Sequence, residues 1–196
     1  MSEVPQNELT AFCPRSPYAV AKLYAHWMTI TYRESYDFFA CAGVLFFNHE
    51  SPLRGLEFVT RKITHGLGRI HGGQQDGLEW AILMQVGTGV FVGDYVEGMW
   101  LMLQESAADD YVLATGQIKS VRRFCELAAG VLGYELVWEG KGVESVGIHS
   151  RSEKALIRTN SKFYRPAEAD LLSGNASNAR TRLGWSAKTD LPSLWR

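Results

Sequence analysis

Residues 38–47, Phe-Phe-Ala-Cys-Ala-Gly-Val-Leu-Phe-Phe, form the longest apolar run in the chain. The run is of strand length and does not alternate between apolar and polar positions. That pattern marks a strand covered on both faces, as in a parallel sheet. Such a strand needs neighbours on both sides, and what precedes it is a loop and a helix rather than a first strand. Residues 1–16 are polar and broken by Pro5 and Pro14. Ser16-Pro17 then opens a helix, with Ser at the N-cap and Pro at the first helical position. Val20, Leu23, Tyr24, Trp27 and Ile30 recur at helical spacing, which predicts one helix to about Tyr36.

Downstream, Asn48 to Gly55 reads as a polar loop and Phe58 to Ile70 as a helix. Residues 94–105 predict a helix opened by Asp94, Tyr111 to Thr115 a short strand, Ile118 to Leu132 a helix and Tyr134 to Trp138 a strand. A basic, irregular stretch runs on to Arg165, and Asn175 to Leu183 is a short helix capped by Gly184. Trp27, Trp100 and Phe124 are expected in the core. Alternating helix and strand makes the chain α/β.

Composition narrows the function. Twenty Lys and Arg against 21 Asp and Glu leave a net charge of -1, which argues against non-specific nucleic-acid binding. No run approaches the length of a membrane helix, and the polar first residues do not form a signal peptide. Cys13, Cys41 and Cys125 lie too far apart to suggest a metal knuckle and read as reduced thiols of a cytoplasmic protein. No metal ligand set is expected. No Gly-x-Gly-x-x-Gly or Gly-x-x-Gly-x-x-Gly follows a strand, so a dinucleotide phosphate loop is absent from these residues.

Tyr18-Ala-Val-Ala-Lys22 places a phenol and an ammonium at i and i+4 on one helical face. A cation one turn from a phenol favours the phenolate, so such a pair suits removal of a proton from a sugar hydroxyl as the carbon is oxidised. The Lys can also bond a ribose hydroxyl. Chance alone supplies about 0.3 such pairs in a chain of this composition, so the surroundings decide. His49 on its own is more often a structural loop residue than a functional one, Arg61 and Lys62 could be a solvated helix face, and Arg165-Pro166 a segment stop.

Pro14-Arg15-Ser16-Pro17-Tyr18-Ala19-Val20-Ala21-Lys22 resembles the catalytic helix of the extended short-chain dehydrogenase/reductases. Asn48-His49-Glu50-Ser51-Pro52 and Phe58-Val59-Thr60-Arg61-Lys62-Ile63 are similar to one branch, the GDP-mannose 4,6-dehydratases. Asp94 to Trp100, Tyr111 to Gly116, and Phe163-Tyr164-Arg165-Pro166 with Glu168 and Asp170 agree in order and spacing. The resemblance implies the C-terminal part of a Rossmann-like, doubly wound parallel sheet plus a smaller α/β substrate-binding domain. Residues 1–56 would form the tail of an NADP-binding domain with the Tyr-x-x-x-Lys helix. Residues 57–196 would be mainly the nucleotide-sugar-binding domain, with segments returning to the Rossmann sheet.

The activity implied is that of a lyase in nucleotide-sugar metabolism, GDP-fucose biosynthesis included. With NADP as cofactor, the mannose of GDP-mannose is oxidised at C4, loses water across C5 and C6, and is reduced at C6 to give GDP-4-keto-6-deoxy-mannose. Oxidation at C4 acidifies the C5 proton, which is why the lyase needs a redox cofactor. Tyr18 matches the C4 base and Lys22 its tuning partner, and both match cofactor contacts, as do His49 and Arg54. Asn48, Val59 and Lys62 match positions lining the nucleotide-sugar site, and Arg165 and Glu168 positions near GDP. The intact family implies dimers or tetramers. A related nucleotide-sugar epimerase or dehydratase, and a non-catalytic nucleotide-sugar binder, remain alternatives. Asn48-His49-Glu50-Ser51 argues against the first.

The chain also departs from the family. The family's elimination base is a Glu two residues after a Ser or Thr, well upstream of the Tyr, and Glu3 and Glu8 lie too close to Tyr18 to match it. This suggests an N-terminally truncated copy, weakly active or inactive. Cys13 replaces an aromatic, Leu53 stands where Arg is usual, and the run 38–47 carries an extra Phe.

Residues 80–91, Trp-Ala-Ile-Leu-Met-Gln-Val-Gly-Thr-Gly-Val-Phe, replace a polar segment of the kind Gly-Asn-Leu-Asp-Ala-x-Arg-Asp-Trp-Gly. Codons that encode the apolar version can, read from the third base, encode Gly-Asn-Leu-Asp-Ala-Ser-Arg-Asp-Trp-Gly. A local frameshift opened near Glu79 and closed near Phe91 accounts for this. It removes a substrate-binding Arg and installs an uncharged, aggregation-prone window at Ala81 to Val86. Sequencing the encoding DNA tests it. The shifted frame is expected to spell the polar segment, and codons that cannot do so contradict the frameshift.

Overall fold

The computed structural model of the chain describes residues 3–44, 48–80, 86–87, 89–160, 173–190 and 193. Two compact units interleave along the sequence. Unit 1 comprises Met1–His49, Gly87–Ile118 and Ala167–Leu191, and unit 2 comprises Glu50–Val86, Lys119–Pro166 and Pro192–Arg196.

Unit 1 begins with helix α1, Pro17–Tyr36, where the expected start is realised: the Ser16 hydroxyl accepts from Ala19 N–H and Pro17 occupies the first turn. Asp37 ends the helix in the left-handed region, its N–H donating to the Tyr32 carbonyl. Strand β1, Ala42–Val44, follows, and then β2, Asn48–Glu50. The expected ten-residue strand is therefore shorter. Phe38 and Phe39 lie before it and are exposed, and residues 45–47 lie outside the described residues. The expected polar loop at Asn48 opens instead with a strand. Beyond β3 and β4, which are placed below, β5 (Gly89–Phe91) leads into α3, Val92–Met102, with Asp94 in its first turn.

Strand β6, Asp110–Val112, pairs in parallel with β1, Ala42 opposite Asp110 and Val44 opposite Val112, and β2 pairs with β5. Helix α5, Ser177–Leu183, stops where expected, at Gly184 with φ 63°. The core of unit 1 is built from Tyr95, Met102, Tyr111, Val112, Leu113, Ala179, Leu183 and Trp185. Trp185 donates its indole N–H to the Asp94 carbonyl at 2.8 Å, and the Asp94 carboxylate accepts from the backbone N–H groups of Lys188 and Thr189 at 3.1 and 2.9 Å. The segment after α5 is thereby tied to the start of α3, where an acid is also favoured by the helix dipole. At the edge of the unit, Arg33 of α1 reaches the Ala40 carbonyl and Asp110 of β6. The expectation that Trp27 and Trp100 are core is overturned: they are 54% and 59% exposed. Helical spacing identified an apolar face on each helix without identifying anything that covers it.

Unit 2 holds helices α2, Val59–His71, and α4, Val121–Val131, beside a four-stranded sheet. The sheet runs in the order β3 (Leu78–Trp80), β10 (Ala155–Thr159), β9 (Val146–His149), β8 (Leu136–Glu139). β3 is parallel to β10, and the other pairs are antiparallel. Strands β4, Val86–Gly87, and β7, Lys119–Ser120, form a short pair. The stretch up to Arg165 expected to be irregular thus contains two strands. β10 is central and buries Leu156 and Ile157. On α2, Ile63, Gly66, Leu67 and Ile70 form the buried stripe. On α4, Phe124, Cys125, Ala128 and Ala129 do the same, as expected for Phe124. Burial pushes the Cys125 thiol up to about 12, so it packs as a small apolar group.

Gly98 shows how tightly unit 1 is packed. A Cβ there meets Leu113 Cδ1 at 2.6 Å and Trp185 Nε1 at 3.0 Å. Gly98→Ala is expected to cost about 1–3 kcal/mol of unfolding free energy through overpacking. Gly130→Ala, with open space around it on α4, is expected to gain roughly 0.5–1 kcal/mol from helix propensity. Denaturant melts check both, and equal effects at the two sites contradict the packing account.

Candidate functional site

The sequence-predicted residues fall into two groups, one in each unit. In unit 1, Tyr18 and Lys22 share one face of α1. The Lys22 ammonium sits over the Tyr18 ring, 5.5 Å from its centroid. Both side chains are open to solvent, Tyr18 at 71%. The i, i+4 spacing that sequence analysis picked out therefore gives a phenol and a cation that approach each other and can still meet a ligand. Ser16 fixes where the helix starts, and so which way this first turn faces.

Asn48 and His49 are on β2. The His49 imidazole packs at a tilt against the buried Tyr95 ring of α3, centroids 4.3 Å apart. An imidazole held against an aromatic face keeps its orientation at little conformational cost.

In unit 2, Arg54 is held from two directions. Its guanidinium lies over the Phe58 ring, 4.2 Å from the centroid. Its Nε lies 3.7 Å from a carboxylate oxygen of Glu50, with both side chains largely buried. Glu50 also accepts a 2.5 Å hydrogen bond from the Thr60 hydroxyl in the first turn of α2. Val59 opens that helix half-buried, and Lys62 stands on its exposed side. Glu50 and Thr60 are residues that sequence analysis quoted without giving them work. The usable signal was the acid four residues before Arg54; the contact with Thr60 required the fold. Arg165 and Glu168 lie outside the described residues. Among the described residues, no cluster of three or more His, Cys, Asp or Glu side chains could hold a metal ion.

The family model for GDP-mannose 4,6 dehydratase matches residues 1–196. The chain belongs to this family. It is 48% identical over 194 residues to GDP-mannose 4,6 dehydratase 2 of Caenorhabditis elegans, covering 99% of this chain and 50% of that protein. It is 43% identical to the Homo sapiens GDP-mannose 4,6 dehydratase, covering 100% and 52%. The chain thus spans about half the length of the curated relatives it matches. Among solved structures it is similar to RMD from Pseudomonas aeruginosa, complexed with NADPH, at a TM-score of 0.80 and 20% identity over 98% of this chain and 57% of that one. It is also similar to dTDP-glucose 4,6-dehydratase from Bacillus anthracis, in complex with NAD, at a TM-score of 0.75 and 15% identity. The α/β fold expected from the sequence is the fold of these two structures.

Glu50 makes the unit 2 group sensitive to pH. Burial raises its carboxyl above the ordinary 4.5, although the Thr60 hydroxyl and Arg54 both favour the charged form. A carboxyl raised in the folded state keeps its proton where the unfolded chain has released it. Its contribution to stability therefore falls as pH rises from 4.5 through the folded value. Glu50→Gln is expected to remove that slope, resisting denaturant better than the parent at neutral pH, with the difference shrinking towards pH 4.5. Parallel pH profiles for the two proteins contradict this.

Proposed function

We propose that the chain carries the catalytic helix and the nucleotide-sugar-binding part of an NADP-dependent GDP-mannose 4,6-dehydratase. The observation that carries the reading is the Tyr18–Lys22 pair, approached on one open face of α1, in a chain whose full length matches the family model. The donors present suit one end of a nicotinamide dinucleotide. In unit 1, Tyr18 and Lys22 present a phenol and an ammonium to a ribose hydroxyl and His49 an oriented imidazole; Arg54, in unit 2, matches a further cofactor position of the family. The NADPH and NAD complexes of the similar folds support a nicotinamide cofactor. When bound, it supplies oxidation at the sugar C4 and reduction at C6.

The chain's own residues do the rest. Tyr18 takes the proton of the C4 hydroxyl. The proton is accepted by the phenolate form of Tyr18, which ends neutral, with the Lys22 ammonium as its neighbouring positive charge. Asn48, Val59 and Lys62 match the family's positions for the nucleotide sugar, and Arg165 and Glu168 match its positions near GDP.

Calorimetry with GDP-mannose, UDP-glucose and dTDP-glucose tests the reading. GDP-mannose is expected to bind tightest, and Lys62→Ala to weaken it by about 1.5 kcal/mol or more, the worth of a charge-assisted hydrogen bond. A preference for a UDP or dTDP sugar contradicts the assignment.

A further inference from the structure

Helix α2 starts without the local features that usually fix a helix start. Its N-cap, Phe58, makes no side-chain capping bond, and its first turn holds no acid. That turn nevertheless carries Val59 and Lys62, two of the positions matched to the nucleotide sugar. What fixes it comes from Glu50, the last residue of β2. One carboxylate oxygen of Glu50 accepts the Thr60 hydroxyl at 2.5 Å and lies 3.7 Å from Arg54 Nε. The first contact is a short hydrogen bond, and the second is an attraction between charges at a longer reach.

The contacts close on themselves. Arg54 lies over the Phe58 ring, 4.2 Å from its centroid. The Phe58 carbonyl accepts the Lys62 N–H at 2.9 Å, and Thr60, in the same turn, is bonded back to Glu50. The intervening loop is pinned as well: the Arg54 N–H donates to the Ser51 carbonyl and the Phe58 N–H to the Gly55 carbonyl, each at 3.1 Å. Glu50 is only 5% exposed, so its bonds are made away from water, where polar contacts hold their direction best. A buried acid is a burden on folding at neutral pH, as its raised proton affinity shows, and an apolar residue of its size serves stability as well or better. What the acid supplies and an apolar residue cannot is a fixed bearing for Thr60.

We propose that Glu50 is a positioning residue for nucleotide-sugar binding: its carboxylate, shared between Thr60 and Arg54, sets the first turn of α2 and so the place of Lys62. This role rests on the nucleotide-sugar reading of Lys62.

A double-mutant cycle on binding tests it, by calorimetry on the full chain with GDP-mannose. Thr60→Val keeps the shape and loses the hydroxyl, and is expected to weaken binding about fivefold, the worth of one net hydrogen bond. Thr60→Ser keeps the hydroxyl and is expected to bind within about twofold of the parent. In a Lys62→Ala background, Thr60→Val is expected to add less than about twofold, because its effect runs through Lys62. Glu50→Asp withdraws the same oxygen from Thr60 and is expected to repeat the loss and its dependence on Lys62, which keeps the test open if Thr60→Val does not fold. Equal losses with and without Lys62, or a serine variant no better than the valine, overturn the proposal. A parent that prefers UDP-glucose or dTDP-glucose overturns the dehydratase reading alone, and the same cycle run with the preferred sugar then decides the role of Glu50. A parent that binds none of the three overturns both.

Discussion

Apolar side chains on a helix are at rest only when something covers them, and α1 packs on one side while Val20, Tyr24, Trp27 and Tyr32 stay exposed. That constraint links folding to chemistry here, because the same helix carries Tyr18 and Lys22. The stripe from Ala19 to Arg33 anchors the helix to unit 1, and the Arg33–Asp110 pair fixes its end against β6. The opposite stripe and the Tyr18–Lys22 pair remain in water. Proton transfer from a sugar hydroxyl gains from exclusion of water and from fixed dipoles around the reacting atoms.

The two units meet their needs in different ways. Unit 1 relies on a close fit, with Gly98 leaving room for Leu113 and Trp185, and with the Trp185 indole and Asp94 tying the segment after α5 to the start of α3. Unit 2 arranges its group of sequence-predicted residues around a buried acid. Glu50 links Arg54 to the first turn of α2 through Thr60, so a change at any of the three is felt by Val59 and Lys62 nearby in sequence. That arrangement costs desolvation of the carboxyl, seen in its raised proton affinity.

Much of this could be read from the residues in order. The start of α1 was legible because Ser16 and Pro17 are local signals, and the end of α5 because only a glycine-like position continues past Leu183 with positive φ. The Tyr18–Lys22 pair was legible because helical spacing alone brings i and i+4 together. Strand β2 was not, since Asn-His-Glu has no apolar alternation and its partner β5 lies about forty residues away. Strands β9 and β10 were hidden by the charges of Lys141, Glu144, Arg151, Glu153 and Lys154, which sit in the turns around them. The exposure of Trp27 and Trp100 was illegible for a further reason: periodicity reports an apolar face, and what packs on that face is a matter of the surrounding fold. The placing of His49 against Tyr95 is likewise a long-range contact with no local signal.

The most direct test of a half-covered α1 is amide hydrogen exchange on the isolated chain, compared helix by helix. Low burial predicts frequent local opening. The outer amides of α1 are therefore expected to exchange well before those of α2 and α4, whose buried stripes face the core of unit 2. Exchange across α1 as slow as in α2 and α4 would contradict the account at its base.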